Sequence, residues 1–188
     1  MSTELWIVVA IVVILVVAFI LIRNSMIGSR NKVDEAWSGI DVQLKRRHDL
    51  IPNLVEAVKG YARHEQTVFE ETTAARADAM RALGSNPRAE AEAEAALSQA
   101  LGGLRAVAED YPDLRATENF QQLQRELSQI EDEIQASRRI YNSNAQSFNT
   151  QIQVFPNSIV ASIGGLTSRE YFEIADASER EPVQVTFG

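Results

Sequence analysis

From Leu5 to Ile22 the chain carries 18 consecutive apolar residues, LWIVVAIVVILVVAFILI. At 1.5 Å per residue such a run spans about 27 Å as a helix, close to the roughly 30 Å hydrocarbon thickness of a bilayer. Val and Ile favour strands in water, but in lipid the backbone must bond to itself, so a helix is expected. Trp6, near one end, suits an interfacial position. A cleaved signal peptide would need a basic leading segment, a shorter apolar stretch and small residues before the cut. Met1 to Glu4 holds no Lys or Arg, and Arg23-Asn24-Ser25 follows the run directly. The pattern therefore predicts a retained transmembrane helix over 5–22, preceded by a short segment over 1–4.

Beyond the run the apolar positions fall into stripes. Val33, Trp37, Ile40 and Leu44 are followed by Ile51, Leu54, Val58 and Tyr61, then by Val68, Thr72, Ala75 and Ala79. Steps of three and four put each set on one helix face. This predicts a long helix over about 30–83. Arg46, Arg47, His48 and Asp49 are polar together, and Pro52 lacks an amide donor, so a kink or short turn is expected near 49–52. Leu83-Gly84-Ser85-Asn86-Pro87 reads as a turn. A second helix over 88–110 carries Leu97, Ala100, Leu101, Leu104, Val107 and Ala108. Tyr111-Pro112-Asp113 ends it. A third, over 117–154, has Thr117 as N-cap and Glu118 in its first turn. Its stripe is Phe120, Leu123, Leu127, Ile130, Ile134, Tyr141, Ala145, Phe148 and Ile152, and Pro156 stops it.

Three long amphipathic segments with short connections predict an all-α protein. Its core is an antiparallel helical bundle over 23–156 with coiled-coil-like packing. The remainder, 157–188, reads as a short irregular C-terminal tail. In it, Ile159–Ile163 and Ser168–Ala175 are candidate short helices, and Pro182–Phe187 alternates like an extended segment.

Charge adds an orientation. The net charge is −8, yet Arg23, Arg30, Lys32, Lys45, Arg46 and Arg47 cluster after the apolar run against only Asp34, Glu35 and Asp41. Lys and Arg on that side alone place the N-terminus outside and the helical domain in the cytoplasm. These juxtamembrane basic residues can also attract anionic headgroups. An acidic chain is a poor nucleic-acid binder, so no such partner is expected. There is no cysteine, which rules out disulfides, thiolate metal sites and a thiol nucleophile.

Catalytic chemistry is not indicated. His48 and His64 lack the spacing of a metal pair and read as solvated or locally paired. Glu90, Glu92 and Glu94 alternate and read as a solvated face. No phosphate loop or nucleophile elbow occurs. No catalytic residue, metal or cofactor is expected. The stretch that stands out is YNSNAQSFNTQIQVFP, 141–156. Tyr141-Asn142 is echoed by Phe148-Asn149 seven residues on, and Phe155-Pro156 closes after seven more. These six residues form either an aromatic core seam with Asn side chains bonding across helices or capping neighbours, or a recognition or self-assembly surface.

On these residues the chain resembles the LemA family, whose pattern has a Tyr-Asn pair, a second aromatic-Asn pair and a Phe-Pro at the same spacing. Tyr141, Asn142, Asn149, Phe155 and Pro156 match it. Phe148 stands where a Tyr is usual, so a hydroxyl is missing there. The N-terminal anchor, NKVDEAWSGIDVQLKRRHDLIPNLVEAVKGYARHE, YPDLRATENFQQLQREL and the tail with Tyr171-Phe172 and Pro182-Val183 extend the resemblance over nearly the whole chain. It implies a bacterial inner-membrane protein with long antiparallel helices, its bulk in the cytoplasm and no established enzymatic activity. It also implies an association with membrane shaping or with membrane proteases. The expected partners are the lipid bilayer and further copies of the chain in a homo-oligomer. The expected function is a self-associating membrane scaffold. A tethered adaptor for another membrane protein is the second expectation.

Overall fold

The computed structural model describes residues 3–172. Within them there are six α-helices and no strand, so the all-α expectation holds. They are α1 (Thr3–Lys59), α2 (Gln66–Ala82), α3 (Pro87–Glu109), α4 (Pro112–Arg115), α5 (Glu118–Gln153) and α6 (Asn157–Ile163). The extended segment expected over Pro182–Phe187, and the Pro182-Val183 pair, lie outside the described residues. Of the helix expected over Ser168–Ala175, residues 168–172 are described and are not helical.

The first helix departs most from the expectation. It runs unbroken through 49–52, with Pro52 inside it, and its 57 residues include the whole apolar run. The break comes at Gly60–Glu65 instead, so the expected 30–83 helix is divided there. Proline inside a helix leaves the carbonyl four residues earlier without its partner. That carbonyl belongs to His48, and the Arg76 Nε donates to it at 2.6 Å. A side chain from α2 thus replaces the missing backbone bond, and the helix has no reason to end at Pro52.

The chain divides into two units. Among the described residues, one comprises 3–39 with 137–171, and the other 40–136 with 172. In the first unit α1 and α5 run antiparallel. Ser25 Oγ accepts from Gln151 Nε2 at 2.9 Å, the Lys32 carbonyl accepts from Asn144 Nδ2 at 3.1 Å, and Trp37 meets Tyr141 edge to face at 5.5 Å. The helix α6 ends where Leu166 N–H reaches Ala161 O and Gly165 N–H reaches Ser162 O. This is a Schellman closure, which needs the left-handed φ of +64° at Gly165.

In the second unit the later part of α1, with α2, α3, α4 and the first part of α5, surrounds one apolar core. Ile51, Leu54, Val58, Leu97, Leu104 and Leu114 are at its centre, each at most 3% exposed. The α2–α3 turn uses Gly84 at φ +73°, and its N–H donates to Glu90 Oε2 at 3.1 Å. Asn86 caps α3 through its side chain, and Pro87 takes the first helical position. Thr117 Oγ1 accepts from Phe120 N–H at 3.4 Å at the start of α5.

Candidate functional site

The 141–156 motif lies in the first unit, on the final turns of α5 and just beyond them. Tyr141, Phe148 and Asn149 are buried, whereas Phe155 is 81% exposed. The spacing alone allowed a core seam or a surface, and the motif divides between them. Ala145 and Ile152 complete the buried stripe.

The buried polar groups of the motif have a definite task. Asn149 Oδ1 accepts from the Arg169 N–H at 2.8 Å, and its Nδ2 donates to the Arg169 carbonyl at 2.8 Å. The side-chain amide thus pairs with one residue's backbone as a neighbouring strand would. The same Nδ2 reaches the Tyr171 hydroxyl at 3.1 Å. The Tyr141 hydroxyl donates to the Glu170 carbonyl at 2.8 Å. Arg169 adds an ion pair to Asp34 at 2.7 Å. The motif is a clamp that holds the non-helical segment 169–171 against α5. A non-helical segment has no helical partners for its own backbone, so side chains must supply them. Asn142 is half-buried and hydrogen-bonded or otherwise engaged within the molecule. Pro156 is exposed and precedes α6. Phe148 is 1% exposed, so the clamp works with a buried ring and no hydroxyl at that position.

A second group lies in the other unit and was not anticipated. Arg47 is 2% exposed, His48 1% and Glu94 2%. His48 Nε2 stands 2.6 Å from Glu94 Oε1, and Arg47 Nη1 lies 3.6 Å from Glu94 Oε2. The Arg47 guanidinium also donates to Glu131 at 2.9 Å and to Ser98 Oγ at 2.7 Å. This corrects three readings. His48 is a core residue, whereas His64 is exposed. Glu90 and Glu94 are buried, and only Glu92 lies on the surface, paired with Arg88. Arg47 does not belong to a juxtamembrane surface patch.

The signal for these residues was in the spacing. Leu97, Leu101, Leu104 and Ala108 step by four and three, and the same steps taken backward reach Glu94 and Glu90. On α1, Ile40, Leu44, Ile51, Leu54 and Val58 leave one gap in the stripe, at Arg47. Charged residues on a buried stripe need partners, and here each stripe supplies the other's.

The remaining basic residues are exposed. Arg23 directly follows the apolar run, Arg30 lies 3.8 Å from Asp34, and Lys32 comes two residues after Arg30 on α1. Lys45 and Arg46, far beyond the run, pair with Asp49 and Glu133. The Lys45 ammonium on Asp49 holds that carboxyl below its ordinary range. Burial pushes the Asp41 carboxyl up, and its Oδ1 has no hydrogen-bond partner. Among the described residues no group of three or more His, Asp or Glu converges as a metal site. Among the described residues one helix, α1, is long and apolar enough to cross a membrane.

Comparison with known proteins places the chain in a family. The LemA family model matches residues 36–187. Protein LemA of Metamycoplasma hominis is 30% identical over 163 residues, covering 87% of this chain and 73% of that protein. Magnetosome protein MamQ 2 of Paramagnetospirillum magneticum is 27% identical over 195 residues, covering 89% of this chain and 72% of its own. Magnetosome protein MamQ of Magnetospirillum gryphiswaldense is 26% identical over 198 residues, with 90% and 73% covered. With both the family model and a relative spanning most of its length, the chain belongs to the LemA family.

Proposed function

We propose that this protein is a non-enzymatic scaffold anchored in the bacterial plasma membrane, with its helical domain on the cytoplasmic side. Copies associate with one another and organise or curve the bilayer. One observation carries this reading. The apolar run is the first part of a 57-residue helix with no break between it and the water-facing turns. A tether would join anchor and domain through a flexible linker. A helix transmits the direction of its membrane span to everything packed on it, which is what a scaffold requires.

The tethered-adaptor reading is the weaker one. It asks the 141–156 face to bind a membrane protease or its client. Tyr141, Phe148 and Asn149 are already buried in contacts of their own unit. The scaffold reading is tested with full-length protein purified in detergent and reconstituted into vesicles. Mass photometry should show species larger than one chain, and electron micrographs of the vesicles should show clustered or deformed membrane. A monomer at every concentration, on undeformed vesicles, would overturn it.

A further inference from the structure

The surface of the first unit has an apolar patch at the end of α5 and on α6. Val154 is 47% exposed, Phe155 81%, Ile159 54% and Ile163 68%. Ile159 and Ile163 are one turn apart and share a face, while Val160 and Ala161 turn inward and are buried. A soluble surface rarely gathers four such side chains without an occupant.

The first unit itself shows where this patch lies. Gln151 bonds to Ser25, three residues past the end of the apolar run, or about 4.5 Å along the axis. Because α5 is antiparallel to α1, the last residues of α5 after Gln151 move towards the run, and the chain has turned back by Arg169, which bonds to Asn149. Gln153, two residues beyond Gln151, ends α5 about level with Arg23, and Phe155 follows directly. The exposure of α1 agrees. Ala18, Phe19 and Ile22 are half-covered and Met26 is buried, although most of the run is open. Those four residues lie on the face that also carries Ser25.

Charge supplies an independent observation. No Asp, Glu, Lys, Arg or His occurs between Arg139 and Arg169. In a chain that is 23% charged, the gap covers the final turns of α5, all of α6 and the Gly164-Gly165 closure. On α1, Arg23 is the one charge between the run and Arg30, and its long stem lets the head reach the interface. Charges are costly where lipid replaces water, and this segment has none.

The geometry points to a second membrane contact: the Phe155 side chain and the Ile159–Ile163 face of α6 insert into the bilayer interface beside the transmembrane helix. The partner is the lipid surface itself. Neutral Asn157, Ser158 and Ser162 are the polar side chains α6 offers to headgroups, so the contact is apolar rather than electrostatic. This inference rests on the membrane-anchored reading and adds a second attachment, which would fix the rotation of α1 in the bilayer.

The chain has no cysteine, so single cysteines report cleanly. Full-length Phe155→Cys, Ile163→Cys, Gln146→Cys and Ile14→Cys are labelled with an environment-sensitive dye and reconstituted into phosphatidylcholine–phosphatidylglycerol vesicles. Lipids carrying a spin label near the headgroup end of the acyl chain quench interfacial positions, and lipids labelled near the chain terminus quench position 14. Labels at 155 and 163 should shift to the blue and be quenched, as groups buried at the headgroup boundary are, while Gln146→Cys should stay bright. Quenching at 14 with none at 155 and 163 would overturn the second contact and leave the anchor standing. No quenching at 14 either would overturn both. An unquenched label at 155 together with cross-linking between Phe155→Cys chains would assign the patch to another copy instead, and overturn the lipid contact. Circular dichroism of each variant is compared with the parent, so that a loss of packing is told apart from a loss of lipid contact.

Discussion

The two units close similar helix pairs by opposite means. In the first, α1 and α5 are joined by neutral groups, Gln151 on Ser25 and Asn144 on a carbonyl, while the Asn149 amide and the Tyr141 hydroxyl hold 169–171 on α5. In the second, the same two helices carry Arg46 on Glu133 and Arg47 on Glu131, with Glu94 of α3 beneath. The difference teaches what each polar group is for. A neutral amide placed against an extended backbone satisfies a donor and an acceptor at once without a desolvated charge. A buried ion cluster adds little net stability but is intolerant of losing one member, so it fixes which helices meet and in which register. The unit that contains the apolar run uses the first device, in keeping with a stretch from Ile140 to Ser168 that has no charge.

The largest expected effect breaks the ionic side. Glu94→Ala leaves Arg47 and His48 buried without their shared carboxylate and should cost about 3–5 kcal/mol, read as a large fall in Tm by circular dichroism. Replacing Arg47 by Met and Glu94 by Leu together should recover most of that loss. If the single and double variants melt alike, the cluster is not held by its charges.

Next comes the neutral side. Asn149→Ala removes the pair of bonds to Arg169 and should cost about 1–3 kcal/mol, felt locally. Limited proteolysis should cut near 169–171 faster while helix content is unchanged. A global drop in Tm as large as that of Glu94→Ala would erase the contrast between the units.

A smaller effect concerns the junction at Pro52. Arg76→Met should cost about 1 kcal/mol by orphaning the His48 carbonyl. In a Pro52→Ala background, where an amide is restored, the same change should cost less. A double-mutant cycle measures the coupling, and additivity would show that Arg76 does not stand in for the missing donor.

The smallest effect sharpens the contrast on the ionic side. Asp41 is partly buried with an unpartnered oxygen, and its carboxyl is raised above the ordinary 3.8. A raised carboxyl is less stable ionised in the fold than unfolded, so it opposes folding above its folded pKa and ceases to do so below 3.8. Asp41→Asn should therefore raise Tm slightly at neutral pH, and the gain should vanish as the medium is acidified past that value. A gain independent of pH would assign the effect to something other than the charge.

Much of this was legible beforehand. The apolar run, the stripes of α3 and α5, and the Thr117 cap depend on periodicity and on side chains bonding within one turn. Such features are local, and a local pattern needs no partner to be read. What was misread depended on a partner. Pro52 looked like a break because helix interiors exclude proline when nothing else can serve the orphaned carbonyl, and Arg76 is 24 residues away. Arg47, His48, Glu90 and Glu94 were not read as buried because a charge on a stripe is ordinarily a surface residue; the meeting of α1, α3 and α5 gives Arg47, His48 and Glu94 one another's charge, and the α2–α3 turn gives Glu90 the Gly84 N–H.

The motif is the sharpest case. Its heptad echo marked Tyr141, Asn142, Phe148, Asn149, Phe155 and Pro156 as a unit, and that was available from spacing alone. Their division into a buried clamp and an exposed ring was not. Asn149 is buried because the backbone of Arg169 lies opposite it, and Phe155 is exposed because α5 has ended two residues before. By itself the sequence determined the helices, the anchor and the positions that share a face, since those follow from the local period of the chain. Only the tertiary structure decided which polar groups lie inside and which apolar groups lie outside, because burial is a property of the neighbours a residue is given.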